Sequence, residues 1–168
     1  MVKIEKSNIK DSGYRRTFKT GAVRDIVDGK GRCDLMPLHE VAGFLGKEEL
    51  PFTTIIGYIA HAQDFIEKED YDTAVEFLYS ASRYFTKVKY WTIPQAVLEL
   101  SKHYEQGAKK YGENNWQKGI EFKSYIDSAV RHLLKYMNRE EDERHDRAFL
   151  WNIISLIWTI HNREVLDA

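Results

Sequence analysis

The fold of this chain is decided by residues 122–138, which read FKSYIDSAVRHLLKYMN. Their apolar side chains recur at steps of three and four, the spacing of one face of an α-helix: Ile126, Ala129, Val130, Leu133, Leu134 and Met137. Asp127 and His132 lie on opposite borders of this apolar stripe, with Ser128 and Arg131 between them. Asp127 and Arg131 are one turn apart and can pair or share a ligand. The stretch therefore predicts a helix with one buried face and a polar border.

Helical periodicity extends outward from this stretch over most of the chain. It predicts further helices over residues 37–46, 52–68, 71–87, 92–111 and 143–162. No segment shows the sustained alternation of a strand, and no internal repeat is present. Residues 1–36 are polar and contain four of the ten glycines, which is typical of irregular structure. The sequence predicts an all-α fold, a helical bundle with an irregular, glycine-containing N-terminal arm.

Composition narrows the class of protein. Hydrophobic residues make up 43% of the 168 positions, enough for one packed domain rather than a disordered chain. The 25 Lys and Arg residues are balanced by 26 Asp and Glu residues, which argues against binding to duplex nucleic acid. The N-terminus lacks the apolar core of a signal peptide, and the longest apolar run, residues 149–160, is too short for a bilayer. We expect a cytoplasmic protein with no membrane partner.

The last predicted helix is apolar nearly all round, which predicts a central position in the bundle. One polar seam runs along it at steps of three and four: His145, Ala148, Asn152, Ser155 and Thr159. An unpaired buried imidazole or amide costs about 1–3 kcal/mol. The seam must therefore find partners on another helix, in ordered water or in a ligand.

A second informative stretch is residues 103–119, where a helix breaks at Gly112. Lys110, Tyr111, Asn115 and Trp116 fall within seven positions around the following loop. A cation, a phenol, an amide and an indole can together contact a phosphate, a sugar and a flat base. On the preceding turns, Glu99 and His103 are expected to form an ordinary pair on the helix surface.

Acidic residues supply a candidate metal site. Glu143 and Asp146 share one helical turn, and Asp127 precedes them on another helix. Carboxylates that converge from two helices are the hard oxygen ligands that Mg²⁺ needs, so these three residues are the candidate catalytic and metal-binding set. The alternative is a charged helix start, which the helix dipole favours. In the arm, Arg24, Lys30 and Arg32 lie among glycines that let the backbone approach a phosphate.

The spacings of these motifs resemble a known family. They are Gly29-Lys30-Gly31-Arg32-x-Asp34, then His103-Tyr104-x-x-Gly107-Ala108-x-Lys110-Tyr111-Gly112-x-x-Asn115-Trp116, then Asp127-Ser128-x-x-Arg131-His132, then Glu143-x-His145-Asp146-Arg147-Ala148-x-x-Trp151-Asn152. This order is similar to that of phage and prophage proteins of the dATP/dGTP diphosphohydrolase domain type. The resemblance covers residues 20–45 and 95–160. It implies a single domain over 1–168, with 1–36 as the arm, 47–92 as a helical insertion, and 93–162 as the nucleotide-site helices.

The resemblance further implies distant kinship with the MazG-like all-α nucleotide pyrophosphohydrolases, which bind Mg²⁺ through Glu-x-x-Glu and Glu-x-x-Asp motifs. Glu143-x-x-Asp146 matches the second motif. Ser124 and Asp127 stand where the first is expected, so one of its acids is missing. The matched motifs also imply substrate contacts for Asp34, Arg131, His132, His145 and Asn152, in addition to the arm and loop residues.

Several functions fit these residues. The first is Mg²⁺-dependent hydrolysis of a purine (deoxy)nucleoside triphosphate to monophosphate and pyrophosphate, as in a phage nucleotide-pool enzyme. The second is a non-catalytic protein that sequesters a nucleotide signal, in the manner of an anti-defence sponge. The third takes His145-Asp146 as the centre of an HD-type phosphohydrolase, with His103 or His132 as a further ligand. A homodimer or higher homo-oligomer is expected, because the helices carry more aromatic stripes than one core needs.

Overall fold

The computed structural model describes residues 9–10, 13–26, 29–46 and 50–166, without the side chains of Leu50 and Pro51. Parts of the predicted arm (1–8, 11–12 and 27–28) and the first residues of the predicted insertion (47–49) lie outside the described residues. The helices are α1 Leu38–Leu45, α2 Leu50–Glu67, α3 Tyr71–Val88, α4 Ile93–Tyr111, α5 Phe122–Met137, α6 His145–His161 and the short α7 Arg163–Leu166. The prediction of an all-α helical bundle is confirmed.

Local sequence signals account for where helix α4 begins and ends. The Thr92 side chain accepts a hydrogen bond from the Gln95 N–H at 3.2 Å and so caps the first turn. Pro94 lies in that turn, where a missing N–H costs nothing. The helix ends at Gly112, whose φ of 91° lies in a region that favours glycine. This ending places Lys110 and Tyr111 on the last turn and turns the chain into the loop that carries Asn115 and Trp116.

The core lies where helices α3, α5 and α6 meet. Val130 and Leu133 of α5 and Ile153 of α6 are completely buried. The rings of Phe85 on α3 and Phe149 on α6 lie 4.6 Å apart. Helix α6 is buried along nearly all of its length, which confirms the central position that its apolar composition predicts. Among the described residues, no helix is long and apolar enough to cross a membrane.

The arm is more regular than the sequence predicts. Two three-residue strands, β1 Arg15–Thr17 and β2 Val23–Asp25, form an antiparallel hairpin with Arg16 opposite Arg24. A short 3₁₀ turn, Cys33–Leu35, precedes α1. Strands this short show no measurable alternation in the sequence, so periodicity could not reveal them. The hairpin stays in place because side chains elsewhere hold it, as described below.

Candidate functional site

A cavity of about 720 Å³ opens between the arm, the end of α4, the loop that follows it, and α5 and α6. Its volume lies within the range of about 300–1,000 Å³ that is usual for small-molecule sites. Most of the site residues predicted from the sequence line it: Arg24, Lys30, Lys110, Tyr111, Asn115, Trp116, Arg131, His132, Glu143 and Asn152. Arg32, Asp34, Asp127, His145 and Asp146 are not in the lining. The structure thus gathers four separated stretches of sequence around one space.

Cationic side chains outnumber carboxylates on the described wall of this cavity. The seven cations are Lys10, Arg16, Arg24, Lys30, Lys110, Arg131 and Lys135, against the four acids Asp25, Glu105, Glu113 and Glu143. Four aromatic side chains line the same space, namely Tyr104, Tyr111, Trp116 and Trp151. An excess of positive charge beside flat apolar rings suits a ligand with both phosphates and a base.

Arg24 lies deep in the cavity between the arm and the two central helices. Its Nη2 donates to Ser128 Oγ at 3.0 Å and to Asn152 Oδ1 at 3.2 Å. Its guanidinium carbon lies 5.7 Å and 5.5 Å from the ring centroids of Tyr125 and Trp151. Burial lowers the pKa of Arg24, although an arginine stays protonated at pH 7. Its hydrogen-bond partners in the described part of the chain are neutral oxygens, so its charge is available to an anion.

Asp25 organises the end of helix α4, although the sequence did not single it out as a site residue. Its carboxylate accepts hydrogen bonds from Lys110 Nζ at 2.9 Å and from Tyr111 OH at 3.0 Å. Arg15 adds an ion pair at 3.0 Å. Burial is the main cause of the raised pKa of Tyr111. Asp25, on strand β2, therefore holds the side chains of Lys110 and Tyr111 in position at the end of α4.

Asn115 and Trp116 have structural partners that the sequence did not predict. The Asn115 side chain accepts from the Val23 N–H at 2.9 Å and donates to the Val23 carbonyl at 2.8 Å. It therefore pairs with strand β2 as a neighbouring strand would, and both ends of its amide are occupied. The Trp116 ring packs edge-on against Trp158 at 4.8 Å and Tyr104 at 5.3 Å. Trp116 still lines the cavity, whereas the predicted contact between Asn115 and a sugar competes with holding the arm.

Asp127 anchors the arm and Arg131. Its Oδ1 accepts from the Cys33 N–H at 2.6 Å, and its Oδ2 accepts from Arg131 Nη1 at 2.9 Å. Both side chains of this ion pair are buried, and Arg131 Nε has no hydrogen-bond partner among the described residues. Arg131 lines the cavity whereas Asp127 lies behind it. Asp127 therefore holds a cavity-lining cation and stands apart from the other two predicted metal ligands.

Asp146 is also occupied by cations. Lys89 Nζ lies 2.9 Å and Arg144 Nη2 3.0 Å from its Oδ2, and the Arg147 N–H donates to Oδ1 at 2.8 Å. Burial raises the pKa of Asp146, but the hydrogen bonds from Arg144 and Lys89 outweigh it and lower the pKa to about 2. Among the described acids and histidines, Asp127, Glu143 and Asp146 do not form a group of converging ligand atoms. These three carboxylates do not fit a resident Mg²⁺, because Glu143 is the one member of the predicted set that lines the cavity.

Glu143 instead lies beside two histidines. His132 Nδ1 and His145 Nδ1 are 3.0 Å apart, and Glu143 Oε1 lies 3.7 Å from the first and 3.8 Å from the second. His145 is buried, and its Nε2 lies 2.8 Å from Asp142 Oδ1. Burial and then the neighbouring His145 hold the pKa of His132 well below its usual 6.5. The polar seam on α6 thus finds its partners: His132 for His145, Arg24 for Asn152, and tyrosine hydroxyls for Ser155 and Thr159.

The remaining predicted arm residues divide between the cavity and its exterior. Lys30 lines the cavity, whereas Arg32 and Asp34 pair with each other at 2.6 Å outside it. Arg32 is exposed and Asp34 is buried at the start of the 3₁₀ turn. The two side chains form a local ion pair within the arm. The substrate contacts expected of them from the sequence stay predictions.

His103 is the residue whose environment the sequence interpretation most clearly missed, because it was expected on the helix surface or as a further ligand of an HD-type centre. The expected surface pair with Glu99 is wrong, because Glu99 contacts Lys102 at 2.9 Å and Arg147 at 2.7 Å. His103 is only 9% exposed, lines the cavity, and has no described partner for its Nδ1. Burial lowers its pKa to about 3. Its place in the motif shared with Tyr104 and Lys110 was the available signal, because His103 precedes Lys110 by just under two helical turns and so lies on the same face of α4.

Comparison with known proteins identifies the family of this chain. A family described as dATP/dGTP diphosphohydrolase, N-terminal, matches residues 81–168, which is more than half of the chain. The matched part begins within α3 and includes α4, the loop, α5 and α6. No curated protein and no solved structure matches the chain, and the distant MazG-like kinship remains an expectation. The family name indicates a nucleotide diphosphohydrolase, and this chain belongs to the dATP/dGTP diphosphohydrolase N-terminal family.

Proposed function

We propose that the cavity binds a purine (deoxy)nucleoside triphosphate and that the protein hydrolyses it to the monophosphate and pyrophosphate, as a phage-type nucleotide-pool enzyme does. One observation carries the proposal: Arg24, whose described hydrogen-bond partners are all neutral oxygens, lines a cavity together with other cations and with aromatic rings. A triphosphate would supply Arg24 with an anionic partner, and a purine would supply a flat surface for the rings. The family name points to the same substrate class.

The arrangement of side chains indicates how such a nucleotide would lie. Arg24, Lys30 and Arg131 are three of the cations on the wall, and we expect them to contact the phosphates. Tyr111 and Trp116 mark the aromatic part, where the base would pack. The guanidinium groups can hold the phosphate oxygens in a bidentate fashion and so orient the scissile bond.

We expect Mg²⁺ to arrive with the triphosphate as part of the substrate, because Mg²⁺ is usually held by substrate phosphates and one or two carboxylates. Glu143 is the member of the predicted catalytic set that reaches the cavity, so we assign the catalytic role to it. Asp127 and Asp146 support the site indirectly, since they position Arg131 and the first turn of α6.

A second function is favoured by the same ion pairs. Two of the three predicted catalytic carboxylates, Asp127 and Asp146, lie outside the cavity lining and are bound to cations. A cationic cavity with a single catalytic acid on its wall would suit a protein that sequesters a nucleotide signal without hydrolysing it. In this alternative the same Arg24 and Arg131 contacts provide affinity, and the nucleotide leaves unchanged.

One experiment separates the two functions. The purified protein is incubated with dATP, dGTP or dCTP in MgCl₂, and pyrophosphate and monophosphate are quantified by anion exchange. Nucleotide retained after gel filtration is then released by denaturation and identified by mass spectrometry. Pyrophosphate release from the purine nucleotides supports the enzyme, and recovery of intact nucleotide supports the sequestering protein.

A pair of matched variants locates the binding site. Arg24→Met is expected to weaken nucleotide binding by about 1.5–3 kcal/mol, roughly tenfold to 100-fold, because it removes hydrogen bonds to a charged group. Arg83→Met removes an exposed arginine from α3 and should leave affinity unchanged. Absence of nucleotide binding by the unmodified protein would contradict both proposed functions.

A further inference from the structure

The geometry points to a resident site for a divalent transition-metal ion, formed by His132, Glu143 and His145. This ligand set differs from the three carboxylates that the sequence predicts for Mg²⁺, since it replaces two of them with imidazoles. It also differs from an HD-type centre, because Glu143 supplies the carboxylate and Asp146 is engaged elsewhere. The inference concerns metal binding alone and does not depend on the proposed nucleotide chemistry.

The three ligand atoms are spaced as a metal ion requires. His132 Nδ1, His145 Nδ1 and Glu143 Oε1 form a triangle with sides of 3.0, 3.7 and 3.8 Å. The point in their plane that is equidistant from the three corners lies about 2.0 Å from each, close to the usual length of a Zn–N or Zn–O bond. The three atoms are therefore near enough to one another to share one ion.

The neighbours of these donors hold them in the orientation that ligation needs. Asp142 Oδ1 lies 2.8 Å from His145 Nε2, and this contact places the ring proton on Nε2 and leaves the Nδ1 lone pair facing the site. A carboxylate behind a ligating histidine is a common feature of protein metal sites. The Lys10 N–H donates to Glu143 Oε2 at 3.2 Å, which leaves Oε1 directed at the histidines. With a metal bound, His132 carries its proton on Nε2.

The site also has an open side. His132 and Glu143 line the cavity, whereas His145 is buried behind them. A bound ion would therefore be held by the protein on one side and would keep a coordination position facing the cavity, as catalytic metal sites do. Two imidazoles and one carboxylate select Mn²⁺, Fe²⁺, Co²⁺ or Zn²⁺ over Mg²⁺, which prefers oxygen ligands throughout.

The test uses the whole chain, first treated with a chelator and then titrated with metal in the absence of nucleotide. Isothermal titration with Zn²⁺ and Mn²⁺ measures stoichiometry and affinity, and Co²⁺ provides the visible absorption of an imidazole-ligated ion. We expect one tight equivalent of Zn²⁺ that an excess of Mg²⁺ does not displace. Displacement of the bound Zn²⁺ by Mg²⁺ at a concentration comparable to that of Zn²⁺ would overturn the assignment of two imidazoles and one carboxylate as the ligands.

Matched variants decide where the ion binds. Glu143→Gln is expected to weaken Zn²⁺ binding by roughly 100-fold or more, because even outer partners of a metal site change affinity by 10- to 100-fold. Glu140→Gln makes the same chemical change at an exposed position close to Asp142 and should retain binding. His39→Gln disrupts the separate exposed group of His39, His61 and Asp64 and should also retain it.

Each outcome has a defined meaning. Loss of the tight equivalent in Glu140→Gln or His39→Gln, with retention in Glu143→Gln, would overturn the proposal by placing the ion elsewhere. Circular dichroism checks that each variant is folded, and His132→Gln serves as the second ligand variant if Glu143→Gln is unfolded. Because metal binding is measured in the absence of nucleotide and nucleotide turnover is measured in MgCl₂, failure of this inference is distinguishable from failure of the proposed function.

Discussion

The buried imidazole of His103 makes the stability of this protein depend on pH in a calculable way. The folded-state pKa of His103 is lowered to about 3 by burial, whereas an unfolded histidine titrates near about 6.5. Between these values the unfolded chain binds more protons than the folded one, so stability increases with pH. The contribution is fully present above about pH 6.5 and is lost as the pH falls towards the folded-state pKa.

The size of the effect follows from the two pKa values. Each pH unit between them changes the free energy of unfolding by up to about 1.4 kcal/mol. Allowing for partial titration near pH 6.5, His103 should reduce stability by about 2 kcal/mol between pH 7 and pH 5. His132, whose pKa is also lowered, adds a change of the same sign in the unmodified protein. The contribution of His103 must therefore be measured as a difference between proteins.

Urea unfolding followed by circular dichroism at pH 7 and pH 5 provides that difference. His103→Gln should lose about 2 kcal/mol less than the unmodified protein between the two pH values. His161→Gln, which changes an exposed histidine at the end of α6, should behave as the unmodified protein does. An unchanged pH dependence in His103→Gln would refute the reasoning, because it would show that His103 is not held neutral in the cavity wall.

Three further predictions follow from the ion pairs and the exposed surface. Asp127→Asn should lower the free energy of unfolding by about 3 kcal/mol in urea titrations, because it leaves the buried Arg131 without its counter-charge. Equal stability of the variant would contradict this. Glu143→Gln should abolish pyrophosphate release with little change in melting temperature, whereas Asp146→Asn should mainly lower the melting temperature; the reverse pattern in parallel assays would return the catalytic role to Asp146. The homodimer expected from the sequence should be weakened by Leu98→Glu, since Leu98 is 65% exposed on α4; light scattering after gel filtration tests this, and a monomeric unmodified protein would refute it.

The helices could be predicted from the sequence because each depends on local periodicity. Helix α3 was predicted over 71–87 and spans Tyr71–Val88, and the predicted start and end of α4 both coincide with local capping signals. The hairpin could not be predicted in the same way. Strand β2 is held by the amide of Asn115, more than ninety positions away, and such a contact leaves no periodic pattern in either segment.

The sequence predicted which residues lie at the candidate site better than it predicted what each of them does there. Spacing and residue type predicted Arg24, Lys110 and Arg131 as ligands, and all three line the cavity. The role of each carboxylate depends on whether it pairs with a nearby cationic side chain or with a metal ion, and a sequence does not reveal which partner is closer. A carboxylate near an arginine one turn away, such as Asp127 beside Arg131, can form an ion pair before it meets a metal. The burial of His103 could not be predicted either, because it results from packing against distant segments such as the one that contains Trp151.

The contacts of the arm show that the cavity wall is built jointly by the arm and by the helices that match the family. The family match begins at residue 81, yet Arg24 and Lys30 of the cavity wall belong to the arm. Three separate contacts hold the arm to the matched helices: Val23 to Asn115, Cys33 to Asp127, and Arg24 to Asn152. Asn115, Asp127 and Asn152 are all buried, so docking of the arm supplies hydrogen bonds to these side chains as well as completing the cavity. Some residues that the sequence predicts as ligands therefore serve to hold the arm in place, as Asp127 does. The residues that line the cavity are the ones that stay candidates for contact with a substrate.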